Sequence, residues 1–137
     1  MQTTKSQKTL KGSGYLCPMS LQVKGELKNY IDKAEYARKT FAQIERDFDM
    51  SGVEFDGGMG ENSGFDHLIE EVYFNIRSLV EENPAALQRL LYRIDVNEKR
   101  MQKTMAEQAD ANLEEVMAYM IVERCLLKVI TREKYST

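Results

Sequence analysis

The sequence has no tryptophan, two prolines, two cysteines and one histidine in 137 residues. Each scarcity excludes something. Cys17 and Cys125 stand far apart with no CxxC spacing, so neither a disulfide framework nor a cysteine-based zinc site is indicated. A reducing cytoplasm is the expected compartment. The single histidine, His67, cannot supply the two Glu-x-x-His pairs that a di-iron bundle needs. With Asp66, Glu70 and Glu71 around it, His67 reads as a boundary residue near a helix start. A cysteine–histidine nucleophile would have to join His67 to one of the two thiols, and Cys125 falls beside Leu126 and Leu127, where a structural thiol fits better. No apolar run approaches the ~20 residues of a membrane span, and the first 25 residues lack the apolar core of a signal peptide. Membrane insertion and secretion are therefore not expected.

Acid is also missing at one end. Residues 1–25 carry Lys5, Lys8, Lys11 and Lys24 and no Asp or Glu, while the whole chain has a net charge of −3. The remainder is therefore acidic, and a phosphate backbone, whose binding runs on counterion release by Lys and Arg, is not an expected partner. Residues 1–19, rich in Thr, Ser, Lys and Gln with Gly12 and Gly14, read as a flexible basic tail. Residues 20–137 read as one domain, of a size that supports an ordinary core without disulfides or metals.

What is present is helical periodicity. Leu27, Tyr30, Ala34, Ala37, Phe41, Ile44 and Phe48 alternate at spacings of three and four, which predicts a long first helix over 20–48. Residues 49–64 hold five of the eight glycines and read as the most mobile internal segment. Ser63 and Asp66 resemble a capping box opening a second helix over 65–82, with Phe65, Leu68, Ile69, Val72, Tyr73, Ile76, Leu79 and Val80 inward. Asn83-Pro84 is a helix stop followed at once by a cap and a good first helical residue. A short helix with Leu87, Leu90, Leu91 and Ile94 follows. A second short one starts from Asp95 or Asn97 and carries Met101 and Met105. Asp110 or Asn112 caps the last helix, to about residue 132, with Leu113, Val116, Met117, Met120, Ile121, Leu127 and Ile130 inward. The expectation is an all-α antiparallel helical bundle of three longer and two short helices, with no significant β-sheet.

Two patterns carry candidate chemistry. Asp47-Phe48-Asp49-Met50-Ser51-Gly52 matches the opening of an EF-hand loop, with oxygen ligands at alternate positions and a turn glycine. The pattern then breaks: Gly58 stands where a bidentate Glu belongs, Glu54 replaces a small apolar residue, and Glu61 comes three residues late. Asp47, Asp49, Ser51, Glu54 and Glu61 are thus the weak cation candidates, and an acidic helix exit is the plainer reading. Arg124, Lys128 and Arg132 form an i, i+4, i+8 basic row on the last helix. That row is either a solvated face, meeting acids such as Glu70, Glu71, Glu81 or Glu82, or an interaction surface for an acidic partner. The two short helices resemble a helix-turn-helix, with Lys99, Arg100, Gln102 and Lys103 outward, but the acidic body argues for a bundle corner. Gly57-Gly58-Met59-Gly60 lacks the Lys-Ser/Thr of a phosphate loop.

No catalytic set assembles. The expected function is that of a non-enzymatic cytoplasmic protein, adaptor or regulator, acting through contact with another protein chain or a second copy of itself. The long first-helix seam is the motive for self-association. The alternative is a calcium-responsive module using residues 47–61. No cofactor is expected.

Overall fold

The computed structural model describes residues 29–60, 63–108, 110 and 112–135. The readings for residues 1–19, for a helix start at residue 20, for Cys17 and for Glu61 lie outside them. Among the described residues are five helices and no strand: α1 (Ala34–Met50), α2 (Phe65–Glu82), α3 (Pro84–Ile94), α4 (Glu98–Glu107) and α5 (Leu113–Tyr135). The expected all-α bundle of three longer and two short helices is the observed fold.

The helix starts follow the local chemistry. Asn83 accepts the Ala86 N–H at 3.2 Å through its side chain, with Pro84 at the first helical position. Asn97 does the same for Arg100 at 2.9 Å. At α5 the cap is reciprocal: Glu115 N–H donates to Asn112 Oδ1 at 2.8 Å, and Asn112 N–H donates to Glu115 Oε1 at 2.9 Å. Four early N–H groups of a helix lack intrahelical partners, and these side chains supply acceptors. Two expectations are corrected. Gly64, not Ser63, caps α2, and the Ser63 hydroxyl instead accepts the Gly60 N–H. The first helix does not run unbroken through residue 30. It starts at Ala34, after a turn in which Lys33 N–H donates to Tyr30 C=O at 3.1 Å. Period alone does not separate the two arrangements, because the turn keeps Tyr30 on the same apolar surface. Its ring meets Tyr36 edge-on at 4.7 Å.

α5 is the central helix, packed most extensively against α2 and α1. Residues 116–122 are buried without a break, and Cys125, Leu126, Val129 and Ile130 continue the buried surface. A helix placed between others buries more than one stripe, which a single-seam reading misses. At its first position Leu113 lies outside that cover and is exposed. The described part of the α1 seam is largely covered within the chain: Ala37, Ile44 and Phe48 have no exposed surface, and Tyr30, Ala34 and Phe41 are half-buried. Among the described residues the seam therefore leaves no bare apolar stripe. The methionines Met101, Met117 and Met120 are core residues.

The glycine-rich loop is strapped to α2. Asn75, buried in the middle of that helix, accepts the Asp56 N–H at 2.9 Å and donates to the Asp56 carbonyl at 2.8 Å. Glu71 Oε1 accepts the Gly58 N–H at 3.0 Å. Phe55 anchors the strap by edge contacts to Phe41 and Phe48. Gly57 is required here. Its φ is +148°, and a Cβ would stand 2.9 Å from the Glu71 carboxylate.

Candidate interaction site around Asp47

Thr40, Gln43 and Asp47 of α1 and Ser51, which caps its C-terminus, recur at helical spacing, and all four are buried. They form a polar stripe beside the Ala37–Ile44–Phe48 seam. The stripe faces the basic row of α5 and the cationic side of α3. Lys128 Nζ donates to Asp47 Oδ2 at 3.0 Å, and Arg93 Nε donates to Oδ1 at 3.3 Å. Gln43 Nε2 donates to the same carboxylate at 3.2 Å, and the Cys125 thiol lies 3.6 Å from Oδ2. Arg132 reaches the Gln43 side-chain oxygen, and Arg124 donates to Asp95 Oδ2 at 3.3 Å. Arg89 Nε donates to the Ser51 carbonyl at 3.4 Å. As the pairing partner falls from Arg132 to Lys128, the α1 residue rises from Gln43 to Asp47, so the two helices are antiparallel.

The electrostatics follow from this packing. Burial alone pushes the Asp47 carboxyl up, but the hydrogen bonds from Lys128 and Gln43 outweigh it and hold the group below the ordinary carboxylate range. Burial pushes the Cys125 thiol well up, and the neighbouring Asp47 charge adds to that. Such a thiol stays protonated and unreactive at neutral pH. Helix α1 has no basic residue in its last turn, and Arg89 and Arg93 from α3 supply cations at its negative end.

The four described cation candidates, Asp47, Asp49, Ser51 and Glu54, do not converge. Asp47 and Asp49 are both inside α1, and two residues on a helix are ~200° apart around its axis. The carboxylate of Asp47 faces Lys128 and Arg93, and the Ser51 hydroxyl donates to the Asp47 carbonyl at 2.9 Å. Asp49 and Glu54 are exposed. Among the described residues no three His, Cys, Asp or Glu side chains are grouped to hold a metal ion. His67 instead sits 2.9 Å from the Gly58 carbonyl, as part of the loop strap.

The basic row, by contrast, is assembled, and its partners are Asp47 and Asp95 rather than acids of α2. Arg124, Lys128 and Arg132, with Leu127 and Thr131, line an open depression of about 440 Å³. Five cations, counting Arg89 and Arg93, gather here: Lys128 and Arg93 meet Asp47 and Arg124 meets Asp95, whereas Arg132 is bonded to the Gln43 amide oxygen and Arg89 to the Ser51 carbonyl, and the Glu133 charge acts on Arg132. Asp47 stands in the acidic helix exit that is the plainer reading of its sequence; its burial and its cationic partners are what that reading lacks, although a signal exists: it continues a polar stripe at helical spacing that borders the apolar seam. Of the four outward residues of the helix-turn-helix resemblance, Arg100 is held by Glu123.

Exposed large apolar side chains stand on every helix but α4. Leu113 and Tyr135 lie at opposite ends of α5, ~33 Å apart. Among the described residues no helix is long and apolar enough to cross a membrane. Comparison of the chain with known protein families, curated proteins and solved structures gives no match.

Proposed function

We propose that this chain is a non-enzymatic cytoplasmic helical protein that works, as an adaptor or regulator, by binding another protein chain through its basic face. The observation that supports this most directly is the shared, open surface of Arg124, Lys128 and Arg132 beside Arg89 and Arg93. Five cations set against Asp47, Asp95 and Glu133 leave a local excess of positive charge on a chain whose net charge is −3. Opposite potentials steer encounter and select partners. The buried, un-ionised Cys125 and the strap-bound His67 support the non-enzymatic part of the reading.

The test is quantitative affinity capture from the native host with three full chains: wild type, Arg124→Glu/Arg132→Glu, and Lys99→Glu/Lys103→Glu as a charge-matched control on α4. Loss of the same partner in the first variant and its retention in the control is the expected result. Retention in all three sinks the reading. Sedimentation at micromolar concentration separates a second copy from a different chain as the partner.

A further inference from the structure

Two of the three α5 cations are tethered from the inside and the third at the surface. Lys128 is held by buried Asp47, Arg132 by buried Gln43, and Arg124 by exposed Asp95. None is used up. An arginine has five N–H donors and a lysine three, and about a third of the Arg124 side chain and a quarter of the Lys128 side chain remain exposed. A tethered side chain loses less freedom when a ligand arrives, so the row is pre-organised. Residues four apart on α5 are separated by about 6 Å along the axis, which fixes the spacing of the presented charges.

We infer that this row docks an acidic segment of another protein whose carboxylates recur about every 6 Å, and that Gln43 and Asp47 are positioning residues that hold the row in register. The inference rests on the interaction reading above. Carboxylates at i and i+4 of a helix meet this spacing. Charge complementarity selects a sparse acid over a dense one. Duplex DNA carries a charge every ~1.7 Å, whereas this row is thin and interleaved with Asp47 and Asp95. Leu127, half-buried between Arg124 and Lys128, offers an apolar contact that a peptide side chain fills and a phosphate chain does not.

Two short fluorescein-labelled peptides of identical composition test it, one with three Glu at i, i+4 and i+8 around a Leu, the other with the same residues shuffled. Anisotropy is read with the full chain at about 50 and 300 mM salt. Inorganic phosphate and a single-stranded oligonucleotide serve as competitors. The registered peptide is expected to bind about tenfold tighter than the shuffled one, roughly the contribution of one retained charge pair. Arg124→Glu/Arg132→Glu abolishes binding. Gln43→Ala keeps every charge yet brings the ratio between the two peptides towards one, as does Asp47→Asn. A purely structural role lowers both affinities together and leaves their ratio unchanged. Equal binding of the two peptides by wild type, an unchanged ratio in Gln43→Ala, or displacement by the oligonucleotide below the concentration of peptide each overturns the inference. If the peptides bind equally while partner capture stays sensitive to charge reversal, the register is wrong and the interaction reading stands. If capture is insensitive, both fall.

Discussion

Replacing Asp47 by Asn removes a buried negative charge to which α1, α3 and α5 all connect. The side chain is 2% exposed and accepts from Lys128, Arg93 and Gln43. Asn keeps the shape but replaces one oxygen with a donor, which then opposes either the Lys128 and Gln43 donors or the Arg93 donor. Removing one partner of a fully buried ion pair costs about 3–5 kcal/mol. Here the orphaned cations reach water, since the Lys128 and Arg93 side chains are 26% and 36% exposed, and that lowers the loss. One charge-assisted hydrogen bond lost outright and a second weakened come to about 2–3 kcal/mol. For a chain of this size that lowers Tm by roughly 6–12 °C. Urea unfolding followed by circular dichroism measures it directly. The folded-state carboxyl lies below its ordinary value, so its stabilisation is present above the unfolded value near about pH 4 and is lost as pH falls through the folded one. The gap between wild type and Asp47→Asn is therefore flat from neutral pH to about 5 and closes in stronger acid. A loss under about 0.5 kcal/mol at pH 7, or a gap that widens with acid, refutes the account of Asp47 as the electrostatic centre of the bundle.

Asp95 has φ +68°, a left-handed conformation that glycine adopts without a Cβ penalty, and it puts a negative charge at the negative end of α3. Asp95→Gly is expected to raise stability by about 0.5–1 kcal/mol despite losing the exposed Arg124 contact, which a thermal melt checks. Asn112→Ala breaks the reciprocal cap of α5 and costs about 1 kcal/mol, read as a lower urea midpoint with an unchanged slope. Asn75→Ala removes both hydrogen bonds to Asp56, costing about 1–3 kcal/mol. Hydrogen exchange at the Asp56 amide should then rise far more than exchange in the α5 core.

How far the chain could be read before folding depends on the range of each interaction. The helices were legible because their signals are local: apolar recurrence over one or two turns, Asn83-Pro84 and Asn97 as starts, charges placed along the helix dipole. Even there the start of α1 was misread, because Tyr30 satisfies the apolar surface equally well from a turn. The site was legible only in half. Arg124, Lys128 and Arg132 form a row by helix geometry alone, so their shared face followed from spacing. Asp47 did not follow, because an EF-hand opening and a helix exit use the same residues, and what decides between them lies 46 residues away at Arg93 and 81 away at Lys128.

The amino-acid order by itself determined that this chain makes amphipathic helices, where most of them begin, and which cations stand in line. Which side chains those cations meet, which face of α5 is left over, and whether residues 53–60 lie free or strapped to α2 were decided by tertiary packing. The reason is physical. Backbone hydrogen bonds and caps act within a few residues, whereas a buried charge must find its partner wherever the close-packed helices bring one.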